Sequence, residues 1–167
     1  MFKDNIKVES GINKNIMKEE WRDDIVANVF YPKNKSKSKI IIHFQGSVAL
    51  IQDQRSIMLA NEGYFVVEVA YNVPKYGQTS MWLGQPFKME YTEAIIKRAV
   101  EHHRSEGDTV CVIGHSKGAE FAIVAGNYLN KFVDLTISSG SPLVPMANSF
   151  TYGDKKVANA IMYDVSP

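Results

Sequence analysis

A serine held between two glycines, Gly114-His115-Ser116-Lys117-Gly118, is the stretch of this sequence best suited to chemistry. It fits the order G-x-S-x-G, with a β-branched apolar run before it (Thr109 to Ile113) and a small-residue helical segment after it (Ala119 to Leu129). Strand, sharp turn and helix in that order present a hydroxyl at the end of a strand for attack on a carbonyl, and Ser116 is the candidate nucleophile. The glycines are needed because the turn is strained, and a side chain at either flank would collide with the adjoining strand or helix. A serine at its free pKa is a poor nucleophile, so the chemistry also requires a group that takes its proton.

The chain has four histidines, His43, His102, His103 and His115, and each precedes or adjoins Ser116. His43, near the end of a strand that leads into a turn, and His115, inside the motif, are the two that can approach as a substitute base. Against this stand a hydrogen-bonded histidine in a buried strand for the first and packing beside the turn for the second. His102 and His103 are adjacent on a helix and point in different directions, with no ligands at helical spacing, so they read as a helix-face pair and no metal is expected. Lys117 is expected to face solvent or to pair with an acid.

The elements that must position these groups alternate. Ile25 to Tyr31 reads as a strand ended by Pro32, and Lys33 to Lys39 as an exposed turn. Ile40 to Phe44 is a nearly continuous apolar run broken by His43, as in a strand covered on both faces. Gln45-Gly46-Ser47 turns the chain into a helix over Val48 to Asn61, stopped by Gly63, and Tyr64 to Tyr71 is again strand-like. Asn72 to Phe87 reads as a loop of a length that usually serves a site. Met89 to Glu106 is an amphipathic helix closed by Gly107, and Phe132 to Ser138 is one more strand before a Gly-, Ser- and Pro-rich loop through Pro145. Val157 to Tyr163 is open between helix and strand, and Met1 to Asp24 holds at most short edge strands. This alternation predicts an α/β fold with a mostly parallel sheet and helices on both faces, and Ser116 at the carboxyl end of a central strand.

Bulk composition narrows the partners. With 167 residues, 45% of them hydrophobic, the chain suits one domain with a real core. A net charge of +1 offers no electrostatic footprint for nucleic acid or an anionic membrane. The charged start Met-Phe-Lys-Asp-Asn is unlike a signal peptide, and the longest apolar runs fall short of a membrane span. The single Cys111 excludes an internal disulfide and lies in a strand, where an inert buried thiol is expected; cytoplasm is the expected compartment.

Taken together, Ala27-Asn-Val-Phe-Tyr-Pro32, Arg55 to Tyr71, Met89-Glu-Tyr-Thr-Glu-Ala94 and Gly114 to Glu120 resemble the catalytic domain of the family that joins acyl-CoA thioester hydrolases with bile acid-CoA:amino acid N-acyltransferases, an α/β-hydrolase fold. The four stretches and their spacing cover roughly the middle two-thirds of the chain, and are more specific together than singly. The resemblance implies that Ser116 attacks a fatty acyl-CoA thioester, that coenzyme A leaves, and that water or an amine takes the acyl group. It implies oxyanion donors from the backbone N–H of Lys117 and from the loop at Gly46, where the family's glycine cluster is replaced by Val48, Ala49 and Leu50. Coenzyme A belongs to the substrate, so no cofactor is implied. In such hydrolases the acid and then the histidine follow the serine. No histidine follows Ser116 here, which predicts a single partial domain over residues 1–167, incomplete at its C-terminus, with 1–24 poorly defined. An uncovered sheet edge would then favour self-association and marginal stability. Two alternatives stand beside the thioesterase reading: an inactive relative lacking acid and base, and a serine esterase of the dienelactone-hydrolase type.

Overall fold

The computed structural model describes residues 15–33, 39–46, 53–70, 87–103, 109–140 and 150–158. Their elements are β1 (Ile16–Arg22), β2 (Val26–Pro32), β3 (Ile40–Phe44), α1 (Gln54–Asn61), β4 (Phe65–Val69), β5 (Phe87–Lys88), α2 (Met89–His103), β6 (Val110–His115), α3 (Lys117–Tyr128), β7 (Leu135–Ser139), β8 (Phe150–Tyr152) and β9 (Lys155–Ala158). A six-stranded sheet runs β1-β2-β4-β3-β6-β7, and a three-stranded one runs β5-β8-β9. In the larger sheet β4, β3, β6 and β7 are parallel neighbours, while β1 and β2 join antiparallel at one edge.

The apolar runs place the core. Every residue of β3 and β4 is buried, as their apolar runs, each interrupted once by His43 or Glu68, predict for strands covered on both faces. Ile95, Ile96 and Ala99 of α2 and Phe121, Ala122 and Ala125 of α3 share a cluster with Ile40, Ile42, Phe44, Val67 and Val112. Phe121 anchors it, stacked on Phe44 at 5.6 Å and edge-on to Phe87 at 4.3 Å. On the opposite face Ile57 and Ala60 of α1 cover Ile41, Val66 and Cys111. The expected helix-sheet-helix layering is therefore present. Burial raises the Cys111 thiol pKa, the condition of an unreactive cysteine. Thr136 faces α3, its Oγ1 within 2.2 Å of where a Cβ on Gly126 would stand. Leu135 and Ile137 therefore point to the other face, where they are 51% and 44% exposed. Among the described residues β7 is an edge strand.

Some boundaries differ from expectation. The strand predicted over Phe132 to Ser138 begins at Leu135: Phe132 and Val133 turn the chain by donating to Leu129 O, and Asp134 brackets Val110 with a backbone N–H to its carbonyl and a carboxylate on its N–H. Phe87, assigned to the long loop, pairs with Phe150 in a short parallel strand, because its ring completes the aromatic cluster on Phe121. The undecided segment from Val157 begins as the end of strand β9. The expected loop over 72–86, the start of the α1 helix over 48–52, the turn at 34–38 and the segments 1–14, 104–108, 141–149 and 159–167 lie outside the described residues.

The helix-face histidines have plain packing roles. His102 Nε2 stands 2.7 Å from Glu19 Oε2 and its ring contacts Tyr31 and Phe65, while His103 is buried and stacked on Phe65 at 5.0 Å. Tyr31 donates its hydroxyl to the same Glu19, and burial, reinforced by that hydrogen bond and charge, pushes the phenol up to about 12. Its folded pKa lies above the ordinary 10.0, so the stability it contributes is complete below pH 10 and lost as pH rises towards about 12. Urea unfolding at about pH 9 and about pH 11 is expected to show a stability loss that Tyr31→Phe reduces. An equal loss in both proteins would contradict this origin.

Candidate active site

Ser116 closes β6 and caps α3 with φ 52 and ψ −118, the only positive-φ non-glycine residue among those described. A serine holds this strained conformation because its surroundings leave no alternative. Its N–H donates to Ser139 O at 2.8 Å on the neighbouring strand, and its carbonyl accepts from Ala119 N at 3.0 Å as the helix starts. A Cβ on Gly114 would stand 2.0 Å from Gly118 O, and one on Gly118 would stand 2.2 Å from Gln45 O and 2.3 Å from Phe44 O. Both flanking glycines are therefore required, the first by the turn itself and the second by the end of β3.

The loop after β3 meets the elbow directly. A Cβ on Gly46 would lie 3.4 Å from Ser116 Cβ and 3.7 Å from His115 Cδ2. On the other side Gly140, with φ 64, would place a Cβ 3.5 Å from His115 Cε1. The half-buried His115 ring thus sits between the loops that follow β3 and β7, next to Ser116. Sequence reasoning named Gly46, His115, Ser116 and Lys117, and the fold brings all of them to one end of the sheet. It did not name Ser139 and Gly140, whose place beside the elbow depends on the β6–β7 register.

His43 is held elsewhere. It is 2% exposed on the face of β3 that α1 covers, and its Nδ1 lies 2.7 Å from Glu68 Oε2 and 3.1 Å from Ser56 Oγ. Its partner on β6 is Ile113, three residues before Ser116 and so about 10 Å back along the strand. His102 and His103 end the helix that leads into β6, which puts them at the opposite end of the sheet. All four histidines fall within the described residues, and none of them hydrogen-bonds the Ser116 hydroxyl.

Of the two expectations for Lys117, solvent exposure and the company of an acid, the first fails, since its side chain is buried. Burial lowers its amine pKa, and the charge of the buried Glu120 opposes that shift. Among the described residues no three His, Cys, Asp or Glu side chains gather to hold a metal ion, and no helix is long and apolar enough to cross a membrane.

No family model matches the chain. A candidate esterase from Staphylococcus aureus superposes with a TM-score of 0.51 at 18% identity, over 80% of this chain and 45% of that one. The chain has the α/β-hydrolase fold. Esterase B from Lactobacillus rhamnosis, in a phosphonate-inhibited form, superposes with a TM-score of 0.48 at 17% identity over 77% of this chain and 48% of that one. In sequence, acyl-coenzyme A thioesterase 1 of Mus musculus is 24% identical over 135 residues, and acyl-coenzyme A thioesterase 3 of the same organism 26% over 131 residues, each alignment covering 78% of this chain. This is weak homology to acyl-coenzyme A thioesterases. The chain spans 30% of the length of the first and 29% of the second.

Proposed function

We propose that the chain carries the nucleophile and oxyanion side of an acyl-transfer site that acts on fatty acyl-coenzyme A thioesters. The observation that carries this reading is Ser116 at φ 52 between a buried strand and a helix, with Gly46 of the β3 loop against it. In this reading the Ser116 oxygen adds to the thioester carbonyl, and its proton passes to a base. The oxyanion accepts from the N–H groups of Lys117 and Gly46, the carbon–sulfur bond breaks, and coenzyme A leaves as its thiol. Water or an amine then releases the acyl group from the serine. The thioester, as opposed to an oxygen ester, is favoured by the sequence likeness to thioesterases.

A second reading follows from the histidines. His43 is tied to Glu68, and His115 stands beside Ser116 without a bond to its hydroxyl. Without a further base the serine would be acylated slowly and the chain would bind or capture substrate with little turnover. Fluorophosphonate labelling with peptide mapping, followed by a panel of acyl-coenzyme A thioesters and matched oxygen esters, separates these outcomes. Labelling at Ser116 with thiol release supports the proposal. Labelling without release supports capture, preference for oxygen esters supports the dienelactone-hydrolase type, and an unlabelled Ser116 with no release overturns the proposal.

A further inference from the structure

A second polar cluster lies inside the fold, under the α1 face of the sheet. Glu68, Ser56 and His43 are 0%, 0% and 2% exposed and come from β4, α1 and β3. Glu68 Oε2 accepts from the Ser56 hydroxyl and from the Nδ1–H of His43 at 2.7 Å, and Ser56 Oγ is 3.1 Å from the same nitrogen. A carboxylate buried this completely is tolerated only when donors are aimed at it, so the cluster has one stable arrangement and fixes its three elements relative to one another.

What it fixes is next to the elbow. His43 is followed by Phe44, Gln45 and Gly46; the first two present their carbonyls to Gly118, and Gly46 approaches Ser116. Ser56 sits in the first turn of α1, on the far side of the same connection. Van der Waals contact alone would let the end of β3 slide against α1, whereas a shared acceptor on β4 pins both sides. We infer that Glu68, His43 and Ser56 form a buried positioning set that holds the Gln45–Gly46 loop at its distance from Ser116. The inference rests on the reading of Ser116 as nucleophile only for its effect on rate, not for its effect on the loop.

Two readouts in the full chain test it. The double variant His43→Leu/Glu68→Leu replaces the pair by apolar side chains, a change that often leaves stability neutral or raised. It is expected to unfold at or above the wild-type midpoint, yet to react with a fluorophosphonate about tenfold more slowly at saturation, the scale of loss that follows misplacement of a site element. Ser56→Ala leaves His43 in place and is expected to slow labelling similarly, which a role for His43 as base would not produce. Glu68→Gln, which keeps an acceptor for His43, is expected to stay near the wild-type rate. Amide exchange at Gly46 is expected to quicken about tenfold in Ser56→Ala and in the double variant, with Val112 unchanged. Wild-type exchange at Gly46 in both variants would overturn the inference. If wild-type Ser116 proves unlabelled, the proposed function fails while the exchange result still decides the positioning role.

Discussion

Ser116→Ala is expected to abolish the fluorophosphonate adduct and to lower any thioester or ester turnover by roughly three orders of magnitude or more. Its fold is expected to be unchanged. The hydroxyl is not part of the scaffold: the contacts that hold the turn are backbone ones, Ser116 N to Ser139 O and Ala119 N to Ser116 O, and alanine keeps both. Alanine at φ 52 bears the same left-handed strain as serine, so the cost already exists in the wild type. The matched pair of measurements is turnover and thermal midpoint on one preparation. Turnover that survives in a folded Ser116→Ala protein would show that the elbow is not where the chemistry occurs.

Gly118→Ala is expected to act in the opposite way, through the structure. The added Cβ would stand 2.2 Å from Gln45 O and 2.3 Å from Phe44 O, both backbone atoms at the end of a buried strand, so it cannot be relieved by rotating a side chain. Either α3 lifts off the sheet or β3 and its loop move away. Overpacking of this kind costs typically 1–3 kcal/mol and sometimes more, and a loss of about 3 kcal/mol in urea unfolding is expected. Fluorophosphonate labelling should fall with it, since the same shift separates Gly46 from Ser116. Gly46→Ala is the control for the stability loss alone, because its Cβ would meet Ser116 Cβ at 3.4 Å, which is an ordinary contact. A Gly118→Ala protein as stable and as reactive as the wild type would contradict the close approach of β3 to the elbow.

Why these two glycines were legible from the sequence while other parts of the site were not is a question of range. Gly114 and Gly118 flank the serine four residues apart, and the local order of strand, serine and helix was enough to name them, although only the clash at Gly114 is made by the turn itself and that at Gly118 comes from the end of β3. The same holds for the buried runs of β3 and β4, where apolar composition implies cover on both faces. His43 and Glu68 show the limit. Each interrupts an apolar strand, and the two interruptions were a usable signal, since parallel neighbours in register put them side by side. Only the pairing of β3 with β4, across 25 residues of sequence, turns them into partners and takes His43 away from Ser116.

Phe87 follows the same logic. Its neighbours Pro86 and Gly84 suggest a loop, yet contact with Phe121 and Phe150 makes it a strand, because burying an aromatic ring outweighs weak local propensity. Lys117 is buried by the packing of α3 and not by anything in its own segment. The sequence by itself determined the layered α/β architecture, the elbow and its candidate nucleophile, since these follow from periodicity and from sterics within a few residues. The tertiary structure decided that His43 is locked to Glu68 and away from the elbow, and what lies against Gly46. Those depend on strand order and register, which join residues that local physics treats as independent.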